Sequence, residues 1–275
     1  SRKALENIYI TFVRPTLEYC DVIWDGCLQK DKDLLENIQL AAARIVTGAR
    51  RGASHSALLK ETGWQTLQQR RDLHKLIMMY KILNNLVPDY LKELIPPLAS
   101  QRSSRNLRNS SNIQQIKSKN NYFRDSFLPS TISKWNSLPI TIRNSPSLAI
   151  FRSELNKTMG PCKPPIHYYY GERKPGIILA CMRMGCSNLN ADLAKIQVIP
   201  SAQCDCGEGI EDAVHYFFAC TKYTIIRNAL QTDILTVAPF TLKTVLYGKE
   251  GTYIRENTFI SQAVHRYISS SGRFG

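Results

Sequence analysis

Residues 66–85 read TLQQRRDLHKLIMMYKILNN, and their pattern sets the class of the fold. Thr66, followed three residues later by Gln69, makes a capping box, the reciprocal closure that starts a helix. Leu73, Leu76, Ile77, Tyr80 and Leu83 then recur at three- and four-residue steps, a stripe that a helix gathers on one face. Arg70, Arg71, His74, Lys75 and Lys81 fall largely off that stripe, which predicts a basic solvent side.

The flanking text has the same character. DKDLLENIQLAAARIVTG, residues 31–48, spaces Leu34, Leu35, Ile38, Ala41, Ala42, Ile45 and Val46 helically and stops at Gly48. Ser54 is placed to cap a short helix that ends at Gly63. Pro88 opens PDYLKELI, and Pro96-Pro97 close it. Residues 1–97 therefore predict a helical bundle.

Residues 98–121 are rich in Ser and Asn, with five basic residues and no acid, and read as a polar linker or exposed loop. Residues 122–159 set Phe123, Phe127, Ile132, Trp135, Leu138 and Ile142 between prolines, followed by a helix from about Ser147. Residues 160–176, GPCKPPIHYYYGERKPG, are a second linker, and 177–275 return to helical text. The expected fold is mainly α: a helical bundle, a basic linker, a small Trp/Pro-containing block and a small helical C-terminal domain whose Cys204, Cys206, His215 and Cys220 make it zinc-binding. No internal repeat is visible.

The chain's 36 Lys and Arg against 22 Asp and Glu give a formal charge of +14. Residues 94–153 hold nine basic residues and a single acid, Asp125, so more than half of the excess lies there. Such a stripe suits a phosphate-backbone binder; a merely solubilising charge excess is the plainer alternative. Arg50, Arg51, Arg70, Arg71, Lys75, Arg102, Arg105, Arg108, Lys117, Lys119 and Arg124 are the candidate contacts. Without a methionine at its start, the chain reads as a fragment. No apolar run approaches the roughly 20 residues of a membrane helix, which predicts no membrane partner. Cys20, Cys27, Cys162, Cys181 and Cys186 are scattered through mostly apolar text and read as reduced thiols of an intracellular protein.

The remaining cysteines are different. CDCGEGIEDAVHYFFAC, residues 204–220, places Cys204, Cys206, His215 and Cys220 within one short segment. Zinc takes four such donors in a tetrahedron, and a full set with no position left over points to a closed structural site. The one-residue first gap is not the common zinc-finger spacing, so a chance cluster of core thiols beside a surface histidine is the competing reading. Three thiolates with Asp205, Glu208, Glu211 and Asp212 around them make the segment a poor phosphate clamp. Tyr216, Phe217 and Phe218 have the chemistry to stack bases, but their spacing is more typical of core packing. No Asp-Asp pair, no His-Glu-x-x-His and no Gly-x-Ser-x-Gly occurs, so no catalytic constellation can be assembled.

Four ordered blocks resemble the segment after the palm in reverse transcriptases of LINE-type, non-LTR retrotransposons of jockey-like type. Arg14, Pro15, Leu17, Tyr19 and Trp24 precede a helix carrying Glu36, Gln39, Ala42 and Arg44; Leu67, Arg70, Arg71, Tyr80, Lys81 and Pro88 form the second block. Trp135-Asn136-Ser137-Leu138-Pro139 with Phe151 and Leu155 form the third. GCSNLNADL, then Cys204, Cys206, Glu211-Asp212, His215 and Cys220, resemble the C-terminal cysteine–histidine motif of those elements. The resemblance implies a thumb-like bundle beside a palm, a structural zinc ion, contacts to template RNA and target DNA, and residence in nucleus and cytoplasm. It also implies fingers, palm and an endonuclease upstream as partners. The palm carboxylates are not in this sequence, so the chain is expected to be inactive as a polymerase alone. A zinc-stapled protein-interaction module and an inactive remnant are the other readings.

Overall fold

The computed structural model describes residues 1–50, 52–99, 111–160, 163–165, 170–251 and 253–275. Helices of six or more residues are α1 (Arg2–Ile8), α2 (Gln29–Thr47), α3 (His55–Thr62), α4 (Leu67–Leu83), α5 (Phe127–Ser137), α6 (Leu148–Met159), α7 (Arg173–Met184), α8 (Asn190–Lys195), α9 (Thr224–Leu235), α10 (Leu242–Tyr247) and α11 (Ile254–Ser270). No β-strand occurs among the described residues, which carry only two isolated antiparallel bridges, Leu98 with Ile113 and Gln203 with Ile210. The caps read from the sequence are present. Thr66 and Gln69 close the start of α4 reciprocally, Ser54 accepts from the Ala57 amide, and Ser147 accepts from the Ile150 amide. Gly63 ends α3 at φ +72°, a left-handed cap for which glycine carries no Cβ penalty. One boundary differs: α7 begins at Arg173, inside the expected linker, because Pro175 tolerates the first turn of a helix.

The chain divides into two compact units, Ser1–Ile10 with Leu40–Trp64 and Cys162–Gly275, and Thr11–Gln39 with Gln65–Pro161. This division cuts across the segments expected from sequence. Residues 1–97 contribute to both units, and residues 122–159 share a unit with α4 instead of standing as a separate block.

In the Thr11–Gln39/Gln65–Pro161 unit the shared core explains that grouping. Leu73, Leu76, Met79 and Tyr80 of α4 bury with Ile132, Trp135, Ile142, Phe151 and Leu155. Tyr80 and Phe151 stack at 4.5 Å, Trp135 tilts onto Phe151 at 5.7 Å, and the Tyr80 hydroxyl donates to the Ser145 carbonyl at 2.7 Å. Burying each large apolar side chain contributes about 1.5–3 kcal/mol, which binds the third sequence block to the second. The presumed linker is partly built in. Ile113 is buried in this core, and the Asn136 amide brackets its backbone, accepting from Ile113 N at 3.0 Å and donating to Ile113 O at 2.8 Å.

Helix α4 is also buried more widely than its stripe predicts. It packs against α5, α6 and the turn Asp21–Trp24, so Arg71 and Lys75 lie in the interior, not on a solvent side. In α2 the buried apolar residues are Leu40, Ala43 and Val46, while Leu34, Ile38 and Ile45 are exposed.

The Ser1–Ile10/Leu40–Trp64/Cys162–Gly275 unit has its own core. Leu179, Leu189, Tyr216, Phe217, Leu230, Ile234, Val245, Ile260, Val264 and Tyr267 form one cluster. Helix α11 is central and packs on α7, α9 and α10; Ile260, Val264 and Ile268 bury at four-residue steps. Tyr9 stacks on Trp64 at 4.3 Å, and the Trp64 indole donates to Glu6 at 3.0 Å.

Candidate metal centre

The donor segment folds as a tight hairpin followed by a helical turn. Cys204 N donates to Gly209 O at 2.8 Å, Gly207 N to Cys204 O at 2.9 Å and Glu211 N to Ala202 O at 2.9 Å. Gly207 sits at φ +80°, where a Cβ would be strained, so the turn that closes just after Cys206 favours glycine. Asp212 then caps the next turn, its carboxylate accepting from His215 N at 2.7 Å. Residues His215–Ala219 wind as a π-helical turn, and Cys220 N closes it onto His215 O at 2.8 Å. The wider turn brings Cys220, five residues on from His215, round to the hairpin.

Four donor atoms converge as a result. The Cys204 and Cys220 sulfurs are 3.7 Å apart, Cys206 Sγ is 3.2 Å from His215 Nε2, and all four ligand atoms lie within 4.8 Å of one another. Cys204, His215 and Cys220 are buried and Cys206 is half-buried. The four sequence-predicted ligands thus form a cluster able to hold one metal ion. The thiols differ electrostatically: the Glu208 backbone amide is the chief influence drawing Cys206 down to about 7, while burial pushes Cys204 up to about 12 and raises Cys220. The amide donates to Cys206 Sγ at 3.4 Å.

The aromatic run after His215 is core. Tyr216 and Phe217 are fully buried, and the Tyr216 ring meets Phe217 at 4.8 Å, Tyr267 at 5.2 Å and Phe274 at 5.5 Å edge to face. Neither Tyr216 nor Phe217 presents a face for base stacking.

A second layer of contacts ties the hairpin to the GCSNLNADL block. The Glu211 carboxylate accepts from Asn190 N at 2.9 Å and from Arg273 Nε and Nη2, both at 2.7 Å. Arg273 also donates to Asn188 O at 3.0 Å and Asn190 Oδ1 at 3.1 Å. Asn190 Nδ2 donates to Gln203 O at 2.6 Å, and Asp192 accepts from Ser187 N at 2.8 Å and Ser187 Oγ at 2.5 Å. Arg273 lies 62 residues from its partner, and no local pattern marks it.

The cationic candidates separate into distinct groups. Arg71 and Lys75 are buried around Asp25: Arg71 Nε stands 2.7 Å from Oδ1, Lys75 bonds Oδ2, and Lys32 approaches at 3.5 Å. Their expected role as phosphate contacts is corrected here, because both charges neutralise an interior carboxylate and neither reaches solvent. Arg70 forks onto Glu18, its Nη2 at 2.9 Å from Oε2. Arg124 is exposed and paired with its neighbour Asp125 at 2.9 Å. Arg50, Lys117 and Lys119 are exposed. Arg51, Arg102, Arg105 and Arg108 lie outside the described residues. No described helix is long and apolar enough to cross a membrane.

No family model, no curated protein and no solved structure matches this chain.

Proposed function

We propose that the chain is the noncatalytic, nucleic-acid-binding part of a LINE-type retrotransposon reverse transcriptase, organised by a structural zinc site. The observation that carries this reading is how the basic stretch 94–153 is displayed. Lys117, Lys119 and Arg152 are exposed, and none forms an ion pair among the described residues. Unpaired cations in an acid-poor stretch of sequence attract the phosphate backbone of template RNA or target DNA without reading sequence. Arg102, Arg105 and Arg108 share that basic stretch of sequence, while the exposed Arg50 and its neighbour Arg51 are candidates outside it. Fingers, palm and endonuclease of the same element are the proposed partners, with nucleus and cytoplasm as the places of work.

Zinc is the metal that suits the cluster. At Zn–S of about 2.3 Å and Zn–N of about 2.0–2.1 Å, tetrahedral donors stand roughly 3.8 Å apart sulfur to sulfur and roughly 3.5 Å sulfur to nitrogen. The separations of 3.7 Å and 3.2 Å lie close to those values. Three thiolates and an imidazole leave no coordination position for substrate, so the ion would hold the fold and do no chemistry.

A second reading, a protein-docking module, is favoured by one observation. Phe12, Tyr19, Ile23, Leu34 and Ile38 of the Thr11–Gln39 segment are all exposed, an apolar display of the kind that marks contact surfaces. Fluorescence anisotropy of a labelled RNA hairpin, with metal-loaded and chelator-stripped protein side by side, decides between the two. Steeply salt-dependent binding supports the nucleic-acid reading. Absence of binding at low salt in both forms overturns it and leaves the docking module.

A further inference from the structure

A second feature of the Ser1–Ile10/Leu40–Trp64/Cys162–Gly275 unit has the chemistry of a ligand site. A pocket of about 350 Å³ opens beside the first turns of α7, within the size range of small-molecule sites. Ile177, Ile178 and the half-buried Phe274 line it as an apolar wall. Arg50, Arg173 and Lys174 line it as well, all three exposed, and no acidic side chain is among its lining residues. Of the neighbouring acids, Glu172 lines a different pocket with His265, and Asp192 stands behind the lining, its Oδ2 engaged by Ser187 N and Oγ at 2.8 Å and 2.5 Å. Arg173 uses Nη2 on the Ile45 carbonyl at 3.1 Å, and neither Arg50 nor Lys174 forms an ion pair among the described residues. Asn188, also in the lining, has a side-chain oxygen without a hydrogen-bond partner.

An apolar wall with one aromatic ring next to three cations calls for a ligand with a flat apolar part and an anionic part. We propose that this pocket takes one nucleotide unit, the base against Phe274, Ile177 and Ile178 and the phosphate among Arg50, Arg173 and Lys174. Aromatic faces accept any base by stacking, and guanidinium groups suit phosphate oxygens. A free nucleoside monophosphate and an unpaired nucleotide of a strand carry the same chemistry. The strand as the source rests on the nucleic-acid reading above; the pocket itself does not. Its floor is coupled to the hairpin, because Arg273, the residue before Phe274, is clamped by Glu211 and Asn190.

Isothermal titration calorimetry of the full chain with adenosine 5′-monophosphate, adenosine, inorganic phosphate and a short single-stranded RNA tests the proposal. The monophosphate is expected to bind roughly tenfold or more tightly than adenosine or phosphate, since neither fragment uses both walls. Lys174→Glu should weaken the monophosphate roughly tenfold with melting unchanged, because the side chain is exposed and unpaired. Phe274→Leu keeps apolar bulk and should weaken the monophosphate while leaving phosphate binding as it was. Equal binding of monophosphate and phosphate, or an unchanged affinity in Lys174→Glu, would overturn the pocket. Hairpin binding without monophosphate binding would overturn it too and leave the nucleic-acid reading standing. Monophosphate binding without any affinity for RNA would retain the pocket and remove the strand as its occupant.

Discussion

Asp25→Asn is the substitution that tests the buried charge cluster most sharply. The change is nearly isosteric, but it leaves Arg71 and Lys75, with side chains 3 % and 2 % exposed, without their carboxylate. Removing one partner of a buried pair costs about 3–5 kcal/mol, because the remaining charge stays desolvated. Here the lower end applies: Lys75 keeps Ser130 Oγ at 3.1 Å and Arg71 keeps Gln68 Oε1 at 2.9 Å. A loss of about 3 kcal/mol at a urea slope of about 2 kcal/mol per molar moves the midpoint down by roughly 1.5 M. Tryptophan fluorescence reports it, since Trp24 lies under the Arg71 guanidinium at 5.5 Å and Trp135 is in the same core. The pH dependence follows. Burial pushes the Asp25 carboxyl up, but the Lys75 hydrogen bond and the charges of Lys75, Lys32 and Arg71 outweigh it and hold the group below its ordinary value. A depressed folded-state pKa means the contribution is complete above the unfolded carboxylate value of about 3.9 and is lost as pH falls through the folded value. The gap between wild type and Asp25→Asn should therefore close in acid, and Lys75→Met added to Asp25→Asn should recover part of the loss. A midpoint for Asp25→Asn within 0.3 M or so of wild type would mean that Asp25 does not compensate Arg71 and Lys75, since ordinary surface substitutions do no more than about 0.5 kcal/mol.

Protein purified without chelator should carry one metal ion per chain by elemental analysis, and Cys220→Ser or His215→Ala should lose it together with several kcal/mol of stability. Arg273→Ala removes the fork onto a Glu211 carboxylate that is 4 % exposed; a loss of about 2 kcal/mol, read by thermal denaturation, is expected. Asn136→Ala deletes both hydrogen bonds to the Ile113 backbone, which should cost about 2 kcal/mol and speed proteolysis between residues 111 and 119. An unchanged cleavage rate would show that the adjacent bonds, Gln114 N to Pro97 O and Ala99 N to Asn112 O, hold the segment without Asn136.

The local rules of the chain were legible because each is written within a few residues. Thr66-x-x-Gln69, Ser54, Gly63 and Ser147 announce helix ends, and the structure places caps at each. The four donors are legible for the same reason: a glycine-bearing loop and a five-residue step bring them together without help from distant chain. What periodicity does not show is the depth at which a helix is set. Arg71 and Lys75 follow the polar spacing of α4, yet they are interior because Asp25, some 50 residues earlier, supplies a carboxylate that compensates them. Leu34, Ile38 and Ile45 follow an apolar spacing, yet they face outward. The grouping of Ile113 and Trp135 with α4 rests on contacts between residues far apart in sequence, as does the Glu211–Arg273 clamp. Composition marks residues 98–121 as a linker, yet Ile113 bracketed by Asn136, Gln114 N on Pro97 O and the Gln115 side-chain amide on Pro129 O anchor its second half.

We propose that exposed cations of the 94–153 stretch grip nucleic-acid phosphates while the buried α4 cations Arg71 and Lys75 do not. Anisotropy of a labelled RNA hairpin over a salt series, comparing wild type, Lys117→Ala/Lys119→Ala and Lys75→Met, tests it directly. Each phosphate contact adds about 0.9 to the slope of log affinity against log salt on a duplex, so the double variant should flatten the slope by about 2. Lys75→Met should leave the slope as it is. An unchanged slope in the double variant would mean that Lys117 and Lys119 do not touch phosphate, and a flattened one in Lys75→Met would mean that the α4 cation does.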